Sequence, residues 1–392
     1  MDLKPSRIEE FVLSKKSMIF IKRLNKNLRG AEAVIGGSVA KGTWLKGEHD
    51  VDVFVLFYKD GGLSDLLEVA LKKSFKNVER IKGSRDYFQV RVYGLNFEIV
   101  PVLRIKHSKD AKNITDVSPM HVDWVKKHIG KLDNDVRLLK RFCKAQGVYG
   151  AESYIKGFSG YVTEILIIYY KGFKNLMKNA VNWKSGIVID VEGHKTKIEK
   201  SKLSPLVVID PVDNKRNAAA ALSQEKFKRF ISACKGYLTN PGKDFFEIKN
   251  ITIKDLKDKD IVLKVLPLKG RKDIVGAKLL RCLELIRGRL KEEGYCVIES
   301  DWHWNEYALF WFKVKSVELP PYKKHYGPPL HMKKNLEEFR LKWRGYKILD
   351  DGDRVYVNIP RENMNLIGFM NDLINHEDFR IYVDEIRIIK SL

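Results

Sequence analysis

Asp50 and Asp52 stand two residues apart in Asp50-Val51-Asp52-Val53-Phe54-Val55-Leu56-Phe57, a run whose branched and aromatic residues predict a strand after a turn at Lys46-Gly47-Glu48-His49. Side chains alternate along a strand, so both acids project from one face. Carboxylates held this close raise each other's pKa, and a divalent cation removes that cost. Hard oxygen ligands at this spacing suit Mg²⁺. Just upstream lies Gly36-Gly37-Ser38-Val39-Ala40-Lys41-Gly42-Thr43-Trp44-Leu45. Gly37 and Ser38 offer backbone N–H groups and a hydroxyl that reach a phosphate with no Cβ in the way. A phosphate turn beside a carboxylate pair points to chemistry on a phosphate rather than to two solvated acids at a hairpin edge.

Glu98 is a lone acid inside the apolar run Asn96-Phe97-Glu98-Ile99-Val100-Pro101-Val102. It either faces solvent from an edge strand or joins Asp50 and Asp52 as a third carboxylate. The elements that must position these acids alternate between helix and strand. Residues 6–30 predict a helix capped by Ser6 with Glu9 completing a capping box, its apolar face formed by Ile8, Phe11, Val12, Ile19 and Leu24. Residues 31–35 lead as a strand into the Gly-Ser turn. A helix begins at Ser64 after Gly61-Gly62, and residues 87–93 and 96–102 form two strands about Gly94.

From Ser118 the pattern becomes helical. Residues 133–146 are amphipathic, with Val136, Leu139 and Cys143 on one side and Arg137, Lys140, Arg141 and Lys144 on another arc. Lys140 lies at the margin, where its stem can be buried while the ammonium reaches a pocket; Arg141 and Lys144 suit a solvated basic face better. Ser159 caps a helix over residues 161–170 that is apolar nearly all round and therefore buried, so Glu164 inside it needs an ion-pair partner. A further helix is expected from Asn214 toward Tyr237, a boundary at Asn240-Pro241-Gly242, strand character over 245–266, a helix over 276–293, and strands over 295–298 and 306–314. Beyond Pro320-Pro321, residues 322–346 interleave Tyr322, Tyr326, Phe339, Trp343 and Tyr346 with Lys323, Lys324, Lys333, Lys334, Arg340, Lys342 and Arg344. That mixture can stack on bases while pairing with phosphates.

A chain of 392 residues, 44% of them hydrophobic, is expected to hold two to four domains with real cores. Its net charge of +23 attracts polyanions, of which nucleic acid is the usual one in a cell. A membrane is the competing partner, but no run of about 18 apolar residues is present to span one, and Met1-Asp2-Leu3-Lys4-Pro5 shows no apolar core of a secretion signal. Cys143, Cys234, Cys282 and Cys296 form no C-x-x-C pair, which argues against a structural zinc site and a disulfide framework and fits a reducing cytoplasm.

Gly-Ser, a short spacer and Asp-x-Asp on a strand resemble the signature of the DNA polymerase β nucleotidyltransferase superfamily. The longer string from Gly37 through Ser-Val-Ala-Lys-Gly-Thr-Trp-Leu-Lys to Gly47 resembles the archaeal-type (class I) CCA-adding enzymes, which are tRNA nucleotidyltransferases. Phe97-Glu98-Ile99-Val100-Pro101 resembles the strand of that family's third acid, although the family usually has Glu-x-Asp for the pair and Asp for the third. The resemblance implies an α+β fold with a polymerase β-like nucleotidyltransferase head (1–118), a helical nucleotide-binding neck (119–240), a sheet-containing body (241–320) and a tRNA-binding tail (321–392). It implies stepwise transfer of CMP, CMP and AMP from CTP and ATP to the tRNA 3′ end, with Asp50, Asp52 and Glu98 as catalytic acids holding two Mg²⁺ ions. Gly37, Ser38 and Lys41 belong to its phosphate turn. Pro119-Met120-His121, Arg137-Leu138-Leu139-Lys140 and Gly147-Val148-Tyr149-Gly150 match segments in which His121, Lys140 and Tyr149 meet the triphosphate; Asp210-Pro211-Val212-Asp213-Asn214-Lys215-Arg216 matches the one in which Arg216 reads the base. The tail, with Lys323, Lys324, Lys333, Lys334, Arg340 and Trp343, is expected to grip the acceptor stem and TΨC arm, and a homodimer is compatible with these features. A poly(A) polymerase or an oligoadenylate synthase shares the head motif. A non-catalytic RNA-binding protein is the rival from another class.

Overall fold

The structure, a computed structural model, describes residues 3–48 and 50–391. His49, in the turn expected before the Asp strand, lies outside the described residues, as do Met1, Asp2 and Leu392. The chain divides into two compact units, Met1–Lys249 and Asn250–Leu392.

The first unit opens with α1 (Arg7–Asn25), β1 (Ala31–Ile35), a short α2 (Gly37–Lys41), β2 (Asp50–Phe57), α3 (Leu63–Ser74), β3 (Val78–Ile81), β4 (Tyr87–Val92) and β5 (Leu95–Leu103). The Ser6–Glu9 capping box starts α1 as expected. Of the apolar face predicted for it, only Leu24 points inward. Leu13, Ser17, Phe20 and Leu24 are buried, whereas Ile8, Phe11, Val12 and Ile19 are exposed. The helix carries apolar residues on two opposite sides, and the side bearing Phe20, which stacks on Phe75 and Phe97, is the one that meets the core. β3 was not expected from the sequence; with Glu79 and Arg80 exposed, it forms the sheet's edge beyond β4.

The sheet runs in the order β1-β2-β5-β4-β3, and only the central β2–β5 pair among these is parallel. Its two faces differ by residue parity. Val51, Val53, Val55 and Phe57 of β2 join Phe97 and Ile99 of β5 in a core beneath α1 and α3. Each such fully buried side chain contributes about 1.5–3 kcal/mol. The opposite face carries Asp50, Asp52 and Glu98 and then turns apolar at Phe54, Val100 and Val102, which pack against Val122. The acids therefore sit where one face of the sheet passes from polar to packed.

The helical part follows: α4 (Ser118–His128), α5 (Asp133–Ala145), α6 (Gly160–Tyr170), α7 (Phe173–Ala180), β6 (Ile187–Ile189), β7 (Leu206–Val208) and α8 (Gln224–Thr239). α6 is buried from Val162 through Ile167, and Ser159 caps it by accepting from the Val162 amide. The helix expected from Asn214 instead begins at Gln224 behind the N-cap Ser223. Residues 214–221 form turns held by Asn217, whose Oδ1 accepts from the amides of Val208 and Ala219.

In the second unit, β8 (Ile261–Pro267), α9 (Lys272–Glu293), β9 (Val297–Trp304) and β10 (Ala308–Val314) precede β11 (Tyr322–Pro329), α10 (Lys333–Lys342), β12 (Ile348–Asp350) and β13 (Arg354–Pro360), and α11 (Leu366–Ile374) and β14 (Val383–Ser391) close it. Of residues 245–266, strand-like by composition, only the stretch from Ile261 is a strand; short helical turns precede it. One antiparallel sheet has the order β14-β8-β10-β9, which with α9 and α11 is a split βαβ arrangement. The sheet β11-β13-β12, with α10 against it, is inserted between β10 and α11. The last strand of the stretch expected to be a tail thus lies in the body's sheet, because β14 pairs with β8 along its length.

Candidate active site

The parallel register places Asp50 opposite Asn96 and Asp52 opposite Glu98. Gln89 of β4 stands opposite Glu98 on its other side. Residues paired in register on adjacent strands lie about 5 Å apart on a common face. Asn96 Nδ2 donates to Asp50 Oδ1 at 3.0 Å, and Asp50 is exposed while Asp52 and Glu98 are half-buried. Burial raises Asp52, and Asp50 adds to the shift against the opposing charge of Lys41. Burial and then Asp52 push Glu98 from its usual 4.5 up to about 7, with the Gln89 hydrogen bond opposing. Among the described residues no three His, Cys, Asp or Glu side chains are gathered closely enough to hold a metal as they stand.

Gly37 and Ser38 occupy the first turn of α2 rather than an open loop. Gly37 has φ +55°, and a Cβ there would overlap the Asp52 carboxylate, so the α2 backbone lies directly against that acid. The loop after α2 is pinned from α5. Arg137, on the basic arc of α5, is buried and donates from Nε to Trp44 O at 3.0 Å and from Nη2 to Gly42 O at 2.5 Å. Lys140 Nζ donates to Thr43 O and Oγ1, both at 3.1 Å.

Two buried carboxylates organise the cations expected to meet a nucleotide. Glu164, fully buried, pairs with Lys41 at 2.5 Å and Lys140 at 3.4 Å, and accepts from Thr43 Oγ1 at 2.6 Å. Burial alone would raise this carboxyl, but Lys41 and Lys140 outweigh it and hold it below its usual value. Lys140 is pushed down by burial and by Lys41 despite Glu164. Two ammonium groups sharing one carboxylate are short of negative charge, the condition a phosphate would satisfy. Tyr149 Oη and Lys140 flank Gly160 at the start of α6, where an added Cβ would lie 3.0 Å from the hydroxyl.

The second hub is Asp210, also fully buried. Its Oδ2 accepts from His121 Nε2 at 3.0 Å and Arg216 Nη1 at 2.5 Å. Its Oδ1 accepts from Tyr161 Oη and the Val212 amide, both at 3.1 Å. Burial would raise Asp210, yet His121, Arg216 and the Val212 amide together hold it at about 2. The Tyr161 ring stacks on His121 at 4.1 Å and lies 5.8 Å from Lys41 Nζ, joining the two hubs. Asp210 and Tyr161 were not singled out from the sequence. The available signal was an acid directly after the apolar run Leu206-Val207-Val208-Ile209.

The expected tail residues belong to the second unit. Lys333 and Lys334 begin α10 and, with Arg340, are exposed. Lys323 is paired with Glu293 at 2.6 Å, and Lys324 lies 4.2 Å from the Tyr356 ring centroid. Trp343 packs against His325 and Phe339 at the edge of a small core and is half-buried.

Comparison with known proteins decides what this arrangement belongs to. A nucleotidyltransferase domain matches residues 17–128, the second domain of tRNA nucleotidyltransferase matches 134–247, and the C-terminal domain of the CCA-adding enzyme matches 269–379. A CCA-adding enzyme of Nanoarchaeum equitans is 37% identical, over 90% of this chain and 90% of that protein. One of Sulfurisphaera tokodaii is 37% identical over 88% of this chain and 84% of its own length, and one of Methanothermobacter thermautotrophicus is 31% identical over 89% and 80%. The chain belongs to the CCA-adding enzyme family. It is a tRNA nucleotidyltransferase whose head is a polymerase β-like nucleotidyltransferase domain, as the motif around Gly37, Asp50 and Asp52 implied. Among solved structures, a cytoplasmic RNA terminal U-transferase matches 64% of this chain and 96% of that chain with TM-score 0.49 at 14% identity. No helix among the described residues is long and apolar enough to cross a membrane.

Proposed function

We propose that this member of the family adds C, C and A stepwise to the 3′ end of tRNA, taking CMP from CTP and AMP from ATP and releasing pyrophosphate. The observation that carries the reading is the register of Asp52 beside Glu98, with the Gly37 backbone against Asp52. Asp50, Asp52 and Glu98 fit a divalent cation: they are hard oxygen donors, and burial, with repulsion from Asp50 on Asp52 and from Asp52 on Glu98, raises the pKa of Asp52 and Glu98. Mg²⁺, when bound, would supply the positive charge that favours the ionised 3′-hydroxyl and the departing pyrophosphate. The chain's own residues hold the substrate. Gly37 and Ser38 take the outer phosphates; Lys41, His121, Lys140 and Tyr149 complete the triphosphate grip; Arg216 reads the base. Lys323, Lys324, Lys333, Lys334 and Arg340, with the Trp343 surface, meet the acceptor stem and TΨC arm. The reaction belongs in the cytoplasm, which suits four cysteines that are all free.

The test is the product made on tRNA lacking its last three nucleotides. CTP alone should extend it by the two C residues, and CTP with ATP should complete the trinucleotide and stop. Long runs of A from ATP alone would overturn this assignment in favour of a poly(A) polymerase-like activity, and no pyrophosphate release with any nucleotide would make the head inactive. Sedimentation of the full chain at working concentration distinguishes a homodimer from a monomer.

A further inference from the structure

We infer that Asp210 is a positioning residue that couples base choice to the triphosphate grip. The inference rests on the roles given above to His121 and Arg216. A single carboxylate oxygen, Oδ2, holds both of them, His121 from α4 and Arg216 from the turns after β7. The two share one acceptor, so the direction in which that oxygen faces sets both bonds at once, and that direction is set from behind: the companion Oδ1 accepts from the Tyr161 hydroxyl and the Val212 amide.

The distribution of exposure separates this from a packing role. The Asp210 side chain has no exposed surface, whereas those of His121 and Arg216 are 12% and 30% exposed. The carboxylate is sealed inside and its two cationic or polar partners open outward, so it acts on a ligand through them. The fourth partner extends the coupling. Tyr161 stacks on His121 and lies near Lys41, which is itself tied through Glu164 to Lys140. A nucleotide drawing His121, Lys41 and Lys140 onto its phosphates would therefore set the angle at which Arg216 meets its base. Selection among bases is then conditional on a correctly seated triphosphate. The turns at residues 210–217 that carry Arg216 are also tied by the backbone, with the Asp210 amide donating to Arg216 O and the Arg216 amide to Asp213 O.

The experiment uses the full chain with tRNA lacking its terminal trinucleotide and measures kcat and KM separately for CTP, ATP, UTP and GTP. Asp210→Asn keeps the shape and an acceptor oxygen but removes the charge; loss of a charge-assisted bond of this kind should narrow the preference for CTP over UTP by about tenfold and raise KM for CTP together with it. Tyr161→Phe, which leaves the ring stack in place, should give the same pair of changes more weakly in a protein of nearly unchanged melting temperature. That variant keeps the test open if Asp210→Asn fails to fold. His121→Ala and Arg216→Ala combined should change KM and selectivity by less than the product of the single effects, because one carboxylate serves both. An Asp210→Asn or Tyr161→Phe enzyme that slows equally on all four nucleotides, with its preference unchanged, would make Asp210 structural and overturn the inference. If His121→Ala leaves nucleotide KM unchanged and Arg216→Ala leaves base preference unchanged, the roles assigned to those two residues fail first, and the coupling fails with them.

Discussion

Gly37 lies so close against Asp52 that a single added methyl group would occupy the carboxylate's position. Its φ of +55° would also strain any other residue. Two separate requirements thus fall on one glycine: the backbone turn that starts α2, and clearance for the acid whose paired neighbour on β5 is Glu98. Gly42, which ends α2 with φ +68°, has open space where its Cβ would be. Gly37→Ala should therefore reduce transfer by about 100-fold or more, the cost of displacing reacting groups by an ångström. Gly42→Ala should cost about 1–3 kcal/mol of backbone strain and leave kcat nearly unchanged. Parallel melting curves and single-turnover assays check this pair. Equal loss of activity in both would show that strain alone, and not contact with Asp52, is what matters.

Metal removal should expose the cost of crowding the acids. The Glu98 carboxyl is raised from its usual 4.5 to about 7 in the folded chain. The folded state therefore holds this proton longer than the unfolded chain does. The resulting stability is fully present below pH 4.5 and is lost as pH rises toward 7, after which it stays lost. In EDTA the melting temperature should fall across that window, and Glu98→Gln should flatten this component. Mg²⁺ added above pH 7 should raise the melting temperature of the parent more than that of Glu98→Gln. A parent whose melting temperature ignores Mg²⁺ at pH 8 would argue against these acids as the metal site.

What could be read from the sequence follows from how locally each feature is determined. The carboxylate strand, its partner strand around Glu98 and the Gly-Ser segment are short, contiguous and chemically distinctive, and their alternation fixes which side chains share a face. Glu164 was legible as an ion-paired acid because a helix apolar all round leaves a carboxylate no other option. The face of α1 was not legible. Ile8, Phe11, Val12 and Ile19 form a stripe as apolar as the buried one, and only the tertiary contact of Phe20 with Phe75 and Phe97 selects between them. The return of β14 to β8, across the inserted tail sheet, is a long-range pairing with no local signature. Asp210 was hidden for the same reason: its partners His121 and Tyr161 are far away in the chain.

Glu164 offers a further test, because Lys41, Lys140 and Thr43 all depend on it. Glu164→Gln removes the carboxylate with which both buried ammonium groups pair directly. Removing one member of such a buried cluster costs about 3–5 kcal/mol. The phosphates of a bound nucleotide would restore part of the missing charge. CTP should therefore raise the melting temperature of Glu164→Gln by more than it raises that of the parent, both in EDTA. Equal increments would mean that Lys41 and Lys140 do not face the triphosphate, and that the cluster serves only to join α2 to α6.

The tail makes the sharpest distinction between cations that are free to meet RNA and cations already engaged. Lys333 and Lys334 are exposed at the start of α10, whereas Lys323 is committed to Glu293, which Arg361 also engages at 2.7 Å. Lys324 stands between these cases, lying over the Tyr356 ring. Each lysine that neutralises a phosphate contributes roughly −0.7 to −0.9 to the slope of log affinity against log salt. Replacing Lys333 and Lys334 together by Ala should weaken tRNA binding and flatten that slope by roughly one to two units. Lys323→Ala should lower the melting temperature, since Glu293 loses a partner, while moving the slope less than either exposed lysine does. Adding Lys324→Ala to the pair should flatten it further if its ammonium leaves Tyr356 for a phosphate. An acceptor-stem minihelix should respond to the substitutions as full-length tRNA does, because it retains the half of the molecule that the tail is proposed to grip. Titrations of both RNAs over a range of salt measure each slope directly. If the Lys333/Lys334 variant binds with unchanged affinity and slope, α10 is a solvated surface and the RNA contact lies on another part of the chain.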